Sequence, residues 1–341
     1  MNYSGVAEPN VLTYAPKHYI CRRASEPLEL DGRLDKPFWA NAPWTDEFVD
    51  IEGDLKPKPG KRTRVKMLWD DEYFYFGAEL MEDQIWATLT ERDSVIFYDN
   101  DFEIFIDPDG DSHRYYEFEI NALNTVWDLL LVKPYRDGGP PVDAWDIAGL
   151  RTAVHIEGEL NNPQAANRSW SVEAAMPWKS LMECAGGGKR PRSGQFWRVN
   201  FSRVEWRAEV RNGRYEKVIN PDTGKPYPED NWVWSPMGLV NMHYPELWGY
   251  VVFGGGEDTE SFALPADELV KWDLRRLYYR QRNYFVQFGR FSADAASLMG
   301  EDRWTIEPHI QTTGRLFQIS APSAAGDGTY YIREDGLLWK E

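Results

Sequence analysis

The chain has 341 residues, a formal net charge of −17 and 15% aromatic residues, among them 16 Trp, 18 Tyr and 16 Phe. That length suffices for one large β domain with an appendage or for two domains. The acidic surplus excludes nucleic acid and anionic membranes as natural partners, because phosphate binding rests on Lys and Arg.

Cys21 and Cys184 stand alone, too few for a disulfide framework and without zinc-site spacing. No run of ~20 apolar residues marks a membrane span. Residues 1–24 read as an irregular arm. The opening MNYSGVAEPN lacks the charged-then-apolar pattern of a leader, which leaves a cytoplasmic location and a removed leader both open.

Leu28 to Asp35 reads as a short strand and turn, and Pro37 to Pro43 as one helical turn that tucks in Trp39. Residues 52–61, rich in Lys, Pro and Gly, form a loop. The alternation of Thr63 to Trp69, the Asp70-Asp71-Glu72 turn and the aromatic run Tyr73 to Leu80 predict a hairpin. Between Asp83 and Asp99 the pattern is irregular, placing Trp86, Arg92 and Tyr98 on a loop above the next hairpin.

That hairpin, residues 99–131, is the clearest signal in the chain. Phe102, Ile104 and Ile106 share one face of a strand, and Tyr116, Phe118 and Ile120 share one face of its partner, with Asp107-Pro-Asp-Gly-Asp111 turning between them. If both apolar triplets meet one core, the register is fixed, since a slip of one residue turns every side chain over. Glu103 then stands opposite Glu119 on the outward face, which also carries Asp101, Glu117 and Asn121. Two facing carboxylates repel. They call for a cation, a shared proton or a ligand rich in hydroxyl donors, and a salt-bridge ladder with an arginine is the bland alternative.

Lys133 to Gly149 is a long loop of the kind that is often functional. Strands follow at Thr152 to Glu157, Ser169 to Ala175, Phe196 to Trp206 and Gly249 to Phe253. In Phe196 to Ser202 the alternation turns Trp197, Val199 and Phe201 inward and Arg198, Asn200 and Ser202 outward. As a neighbour of the hairpin, this strand would aim Arg198 and Asn200 at Glu103 and Glu119. Trp232 and Trp234 offer a stacking wall or, more commonly, core packing.

Helical spacing first dominates from Asp267 to Phe288, ending near Gly289, with strands at Leu316 to Ser320 and Thr329 to Arg333. The predicted fold is therefore mainly β, an antiparallel β-sandwich over residues 1–256 with a small α+β C-terminal appendage over 257–341. Gly254-Gly-Gly256 serves as the boundary.

Taken in order, LDGRLDKPFW, VKMLWDDEYFYFGAEL, DNDFEIFIDPDGD, WSVEAAMPWKSL and WSP followed by PELWGYVVF resemble the carbohydrate-binding module family 9 fold, a β-sandwich related to DOMON domains, from about Leu28 to Phe253. The resemblance implies a sugar held between two aromatic walls, an extracytoplasmic setting and a place in polysaccharide utilisation. Carried over by position, Glu103 is the ligand-binding glutamate, Tyr98 and Met242 stand at the two walls, and Glu119 stands where the family has an arginine. The resulting carbohydrate-binding set is Tyr98, Glu103, Glu119, Asn121, Arg198, Asn200 and Trp234.

The family often carries structural calcium, and Asp107, Asp109 and Asp111 open like a calcium loop. Ser112 and Phe118 then stand at the positions that usually hold Gly and Glu, which favours a plain acidic turn. Haem, known among DOMON relatives, is disfavoured because the adjacent Met242 and His243 point to opposite faces of a strand. Two further function classes stay open. One is a glycoside hydrolase using the Glu103/Glu119 pair, and the other is a protein-interaction module built on residues 257–341.

Overall fold

The computed structural model describes residues 3–9, 14–255 and 261–341, so the expected boundary at 256/257 lies outside the described residues. Strands β1 (His18–Arg23), β2 (Val49–Asp50), β3 (Thr63–Trp69) and β4 (Tyr73–Met81) open the chain. A meander follows, β5 (Asp101–Asp107), β6 (Tyr115–Asn121) and β7 (Val126–Leu131), with the short β8 (Pro141–Val142) after it. Next come β9 (Arg151–Glu157), β10 (Ser169–Pro177), the helical turn α1 (Trp178–Leu181) and the long β11 (Phe196–Glu205). A small hairpin, β12 (Ala208–Arg211) and β13 (Arg214–Lys217), precedes β14 (Asp230–Val233) and β15 (Gly249–Phe253). The C-terminal part holds helices α2 (Ala266–Phe288) and α3 (Ala295–Met299) and a four-stranded sheet of β16 (His309–Thr312), β17 (Phe317–Pro322), β18 (Thr329–Arg333) and β19 (Leu338–Lys340).

The protein is mainly β. Its large sheet runs β8-β7-β6-β5-β11-β15-β1-β3-β4-β10-β9 and curls into two facing layers, with β14 added to β11 and β2 to β14. Strand β1 is the joint between the layers. It runs parallel to β15 through His18–Cys21 and parallel to β3 through Arg22–Arg23. The expectation of an irregular arm over residues 1–24 is corrected here. Tyr19 and Cys21 are buried in the core, and this burial fixes the strand.

Alternation accounts for the interior. Phe102, Ile104 and Ile106 of β5, Tyr116, Phe118 and Ile120 of β6, and Trp197, Val199 and Phe201 of β11 all enter one core with Val65, Met67, Phe74 and Phe76 from the opposite layer. The Leu28 to Asp35 segment is a loop, not a strand. It is held by the buried Glu173 of β10, which accepts from the Asp31 and Gly32 backbone N–H groups at 3.0 and 2.9 Å and from the Trp39 Nε1–H at 2.7 Å. Two of the motifs that carry the family resemblance are thus tied by one carboxylate.

The outer face of β5, β6 and β7 differs from a solvated sheet surface, since every residue of β5 and β6 is buried. Helix α2, packed on β17 and β18, contributes to the cover. Val270, Leu274, Leu277, Tyr278 and Phe285 share a second core with Phe105, Tyr115, Leu129 and Leu131. Gly289, at φ +68°, ends this helix in the left-handed conformation that favours glycine. Buried ion pairs fasten it, Arg198 to Glu268 at 2.9 Å and Arg282 to Asp137 at 2.5 Å. Among the described residues no helix is long and apolar enough to cross a membrane.

Candidate ligand site

Strands β5 and β6 pair with Glu103 opposite Glu119, Asp101 opposite Asn121 and Phe105 opposite Glu117. Because strand side chains alternate, Asp101, Glu103, Glu117 and Glu119 converge on the outward face. Above them lies a cavity of about 460 Å³, lined on its floor by Glu103, Phe105, Glu117 and Glu119 and on its walls by Phe97, Trp127, Tyr135, Met242 and His243. Glu229, Asn231 and Asn241 complete its polar rim.

The electrostatics of this floor are one-sided. Among the described residues, none of the four carboxylates forms an ion pair with Lys, Arg or His. Burial, with a smaller contribution from Glu229, pushes Glu103 up to about 7. Glu119 is raised by burial and then by Asp101, Glu103 and Glu117, and Glu117 by burial and then by Glu103 and Asp143. One bond relieves Glu119, from the Phe97 backbone N–H to its Oε2 at 2.9 Å. His243 shares its Nδ1 with the Tyr115 hydroxyl at 2.9 Å, while desolvation and the nearby Arg136 push its pKa down to about 3, so its ring is neutral. The indole Nε1–H of Trp127 has no partner.

The expected site residues separate into groups. Glu103 and Glu119 line the cavity. Asn121 is buried beside them, where its amide donates to Leu89 O at 2.9 Å and Asp99 Oδ2 at 3.0 Å and its oxygen accepts from Leu123 and Thr125, leaving it a structural clasp for the loop above. Tyr98 lies outside the cavity lining with its side chain 56% exposed, near Phe97 and 5.9 Å from Lys217.

Three expectations are corrected by register and packing. β11 does neighbour β5, but the pairing sets Ser202 opposite Glu103, Asn200 opposite Phe105 and Arg198 opposite Asp107. Arg198 is therefore displaced along the strand, where it pairs with Glu268 and donates to Trp248 O at 2.8 Å. Asn200 is wholly buried and donates to Ser235 O at 2.8 Å. Trp234 belongs to the inner core, its ring lying so close over Gly249 that a Cβ there would meet it at 2.4 Å.

Sequence reasoning passed over Trp127, Tyr135 and Glu117 as site residues. The signal for Trp127 was present, since a third strand paired with β6 sets it opposite Glu119. No comparable signal marks Tyr135, which a loop brings back over the sheet. The second cavity, about 870 Å³, is larger and is lined by Arg23, Trp69, Tyr73, Trp178, Lys189 and Arg190. It lacks a convergent set of buried carboxylates, and such perturbed groups are what single out a functional site.

Asp107, Asp109 and Asp111 bring one oxygen each within 4.8 Å of one another, and burial raises all three, Asp111 to about 7. Asp107 accepts from the Gly110 and Ser112 N–H groups at 3.0 Å each, Asp109 Oδ1 is buried without a partner, and Arg114 stands off at 3.7 and 3.8 Å. This oxygen-only donor set fits a calcium ion.

By sequence, the family described as "Carbohydrate family 9 binding domain-like" matches residues 30–196. Residues 30–196 are thus similar to this family. The matched stretch contains β2 to β10, including both carboxylate-bearing strands of the cavity floor. Among solved structures, a candidate carbohydrate-binding protein from Bacteroides uniformis ATCC 8492 is 14% identical with a TM-score of 0.50, covering 70% of this chain and 100% of its own, and shares the fold. Family 9 modules from Caldicellulosiruptor kristjanssonii are also similar. The one in complex with cellotriose is 18% identical, with a TM-score of 0.44 and coverage of 73% and 99%. The one in complex with glucose is 18% identical, with a TM-score of 0.43 and coverage of 72% and 100%. No curated protein matches the chain.

Proposed function

We propose that this protein binds a mono- or oligosaccharide in the cavity above β5 and β6. The observation that carries this reading is the union, in one cavity, of acceptor-rich carboxylates and flat aromatic walls within a family 9-like domain. Carboxylates accept hydrogen bonds from sugar hydroxyls, and an indole covers the C–H face of a pyranose while its orphaned N–H donates to a ring substituent. Trp127 takes the stacking role in place of Trp234, and Glu103 reads hydroxyls.

Binding is favoured over hydrolysis because Glu103 and Glu119 face each other directly on one sheet with no cation beside either among the described residues. That gives a nucleophile and an acid little room for the differing environments that a retaining glycosidase needs. An extracytoplasmic place in polysaccharide utilisation fits this reading, and so does a structural calcium held by Asp107, Asp109 and Asp111.

The test is calorimetric titration of the full chain with neutral, acidic and amino sugars, glucose and cellotriose included, in buffer containing calcium. Saturable binding, weakened by roughly tenfold or more in Trp127→Ala, is expected, since tenfold is about 1.4 kcal/mol. Absence of binding at millimolar sugar by a folded protein sinks the proposal.

A further inference from the structure

Asp101 is wholly buried, and neither of its carboxylate oxygens has a hydrogen-bond partner. The Val204 N–H across the strand pair eases its charge without completing a hydrogen bond. Asn121, its other neighbour, gives its amide to Asp99 and Leu89 instead. Ser202 Oγ, opposite Glu103, is similarly near enough to ease that carboxylate and similarly lacks a hydrogen bond. One oxygen from each of Asp101, Glu103 and Glu119 lies within 4.8 Å of the others. The elements packed around them add Trp127, Glu117, Glu229 and the Phe97 N–H, with no cationic side chain among the cavity lining.

We propose that Asp101, Glu103 and Glu119 bind one hard divalent cation beneath the cavity, and that the cavity-facing side of this ion takes two adjacent hydroxyls of the sugar. The donor set is all oxygen, and oxygens on opposite sides of a calcium ion are roughly 5 Å apart, which the observed spacing accommodates. Asp101 does not line the cavity. A sugar ring cannot reach it, but a bare ion can. Hydroxyl donors alone would bring no positive charge to a floor of clustered carboxylates, whereas a dication compensates two of them and makes an anionic floor compatible with a neutral ligand. The site is separate from the acidic turn, since Asp107 closes the far end of β5. The cation half stands on the cluster itself, and the bridging half rests on the carbohydrate reading of the cavity.

The experiment uses the full chain, stripped with EDTA, in an Asp109→Asn background that removes calcium at the turn from the count. Calorimetric titration with calcium chloride is expected to give one equivalent in this background, and at least tenfold weaker binding when Asp101→Asn or Glu119→Gln is added. Near-ultraviolet circular dichroism checks that each variant keeps its fold. No calcium uptake by the background protein, or equal uptake after Asp101→Asn, overturns the cation site. Cellotriose titrated with calcium and with EDTA then tests the bridge, and at least tenfold loss in EDTA is expected. Equal cellotriose affinity in EDTA overturns the bridge and leaves sugar binding intact. Calcium uptake with no cellotriose, glucose or amino-sugar binding overturns the carbohydrate reading and leaves the cation site standing.

Discussion

At the residue scale, Glu119 sits in a setting that ordinarily disfavours a charge. It receives one backbone hydrogen bond, faces Glu103 directly, and has no cation beside it among the described residues. Each pH unit by which burial raises a carboxyl corresponds to about 1.4 kcal/mol. Removing one charge from the cluster therefore stabilises the ligand-free protein. Glu119→Gln in EDTA at pH 8 is expected to raise stability, because the amide oxygen can still accept from Phe97 while the repulsion is gone. Urea unfolding measures this, and a loss of stability would show that Glu119 is already neutralised in the free protein. The facing of Glu103 and Glu119 was legible in the sequence because alternation and a shared core leave a single register. The position of Arg198 was not, because the stagger of β11 on β5 is set by a pairing distant in sequence.

At the scale of elements, the decisive junction is the second core, which α2 shares with β17 and β18 and with Phe105, Tyr115, Leu129 and Leu131 of the meander. The attachment of α2 is polar as well as apolar. Arg136 pairs with Glu246 at 2.7 Å and stacks 4.0 Å over the Tyr244 ring, while the Tyr279 hydroxyl of α2 donates to Glu246. Arg136 also donates to His243 O at 2.9 Å, which couples this junction to a wall of the cavity. Breaking a buried pair by removing one partner strands the other charge and costs about 3–5 kcal/mol. Arg136→Ala is accordingly expected to destabilise the protein by about that amount in urea unfolding, with amide exchange of α2 accelerated more than that of β3 and β4. Uniform acceleration throughout the chain would contradict the local role. The helix itself was plain from its spacing, but its destination was not, since an amphipathic stripe does not say which sheet face it will cover.

For the whole molecule, pH dependence follows from carboxyls that folding raises. Glu103 and Glu82 both stand at about 7, against an ordinary 4.5, with burial as the first cause in each. Between pH 5 and 7 the native chain keeps protons that the unfolded chain has released, so unfolding free energy falls as pH rises through that window. Depressed carboxyls act with the opposite sign. Asp335, at about 2, and the lowered Glu246 and Glu268 withdraw their stabilisation only in acid. In EDTA the melting temperature is expected to be highest near pH 5 and to decline toward pH 8, and calcium is expected to offset part of that decline. Melting curves across pH with and without calcium decide it, and a melting temperature that rises steadily to pH 8 in EDTA contradicts the buried-carboxyl account.

The sequence by itself determined the β-rich class, the hairpins, the α2 span and the inward and outward faces of β5, β6 and β11, because each depends on local periodicity and on burying one apolar face. Tertiary structure decided that the outward face of β5 and β6 is covered, that β1 joins two layers, that Trp127 and Tyr135 rather than Trp234 wall the cavity, and that Asp101 is left beneath it without a partner. Those outcomes depend on which distant elements meet, and side-chain alternation along one strand carries no information about the stagger or the cover that its neighbours will supply.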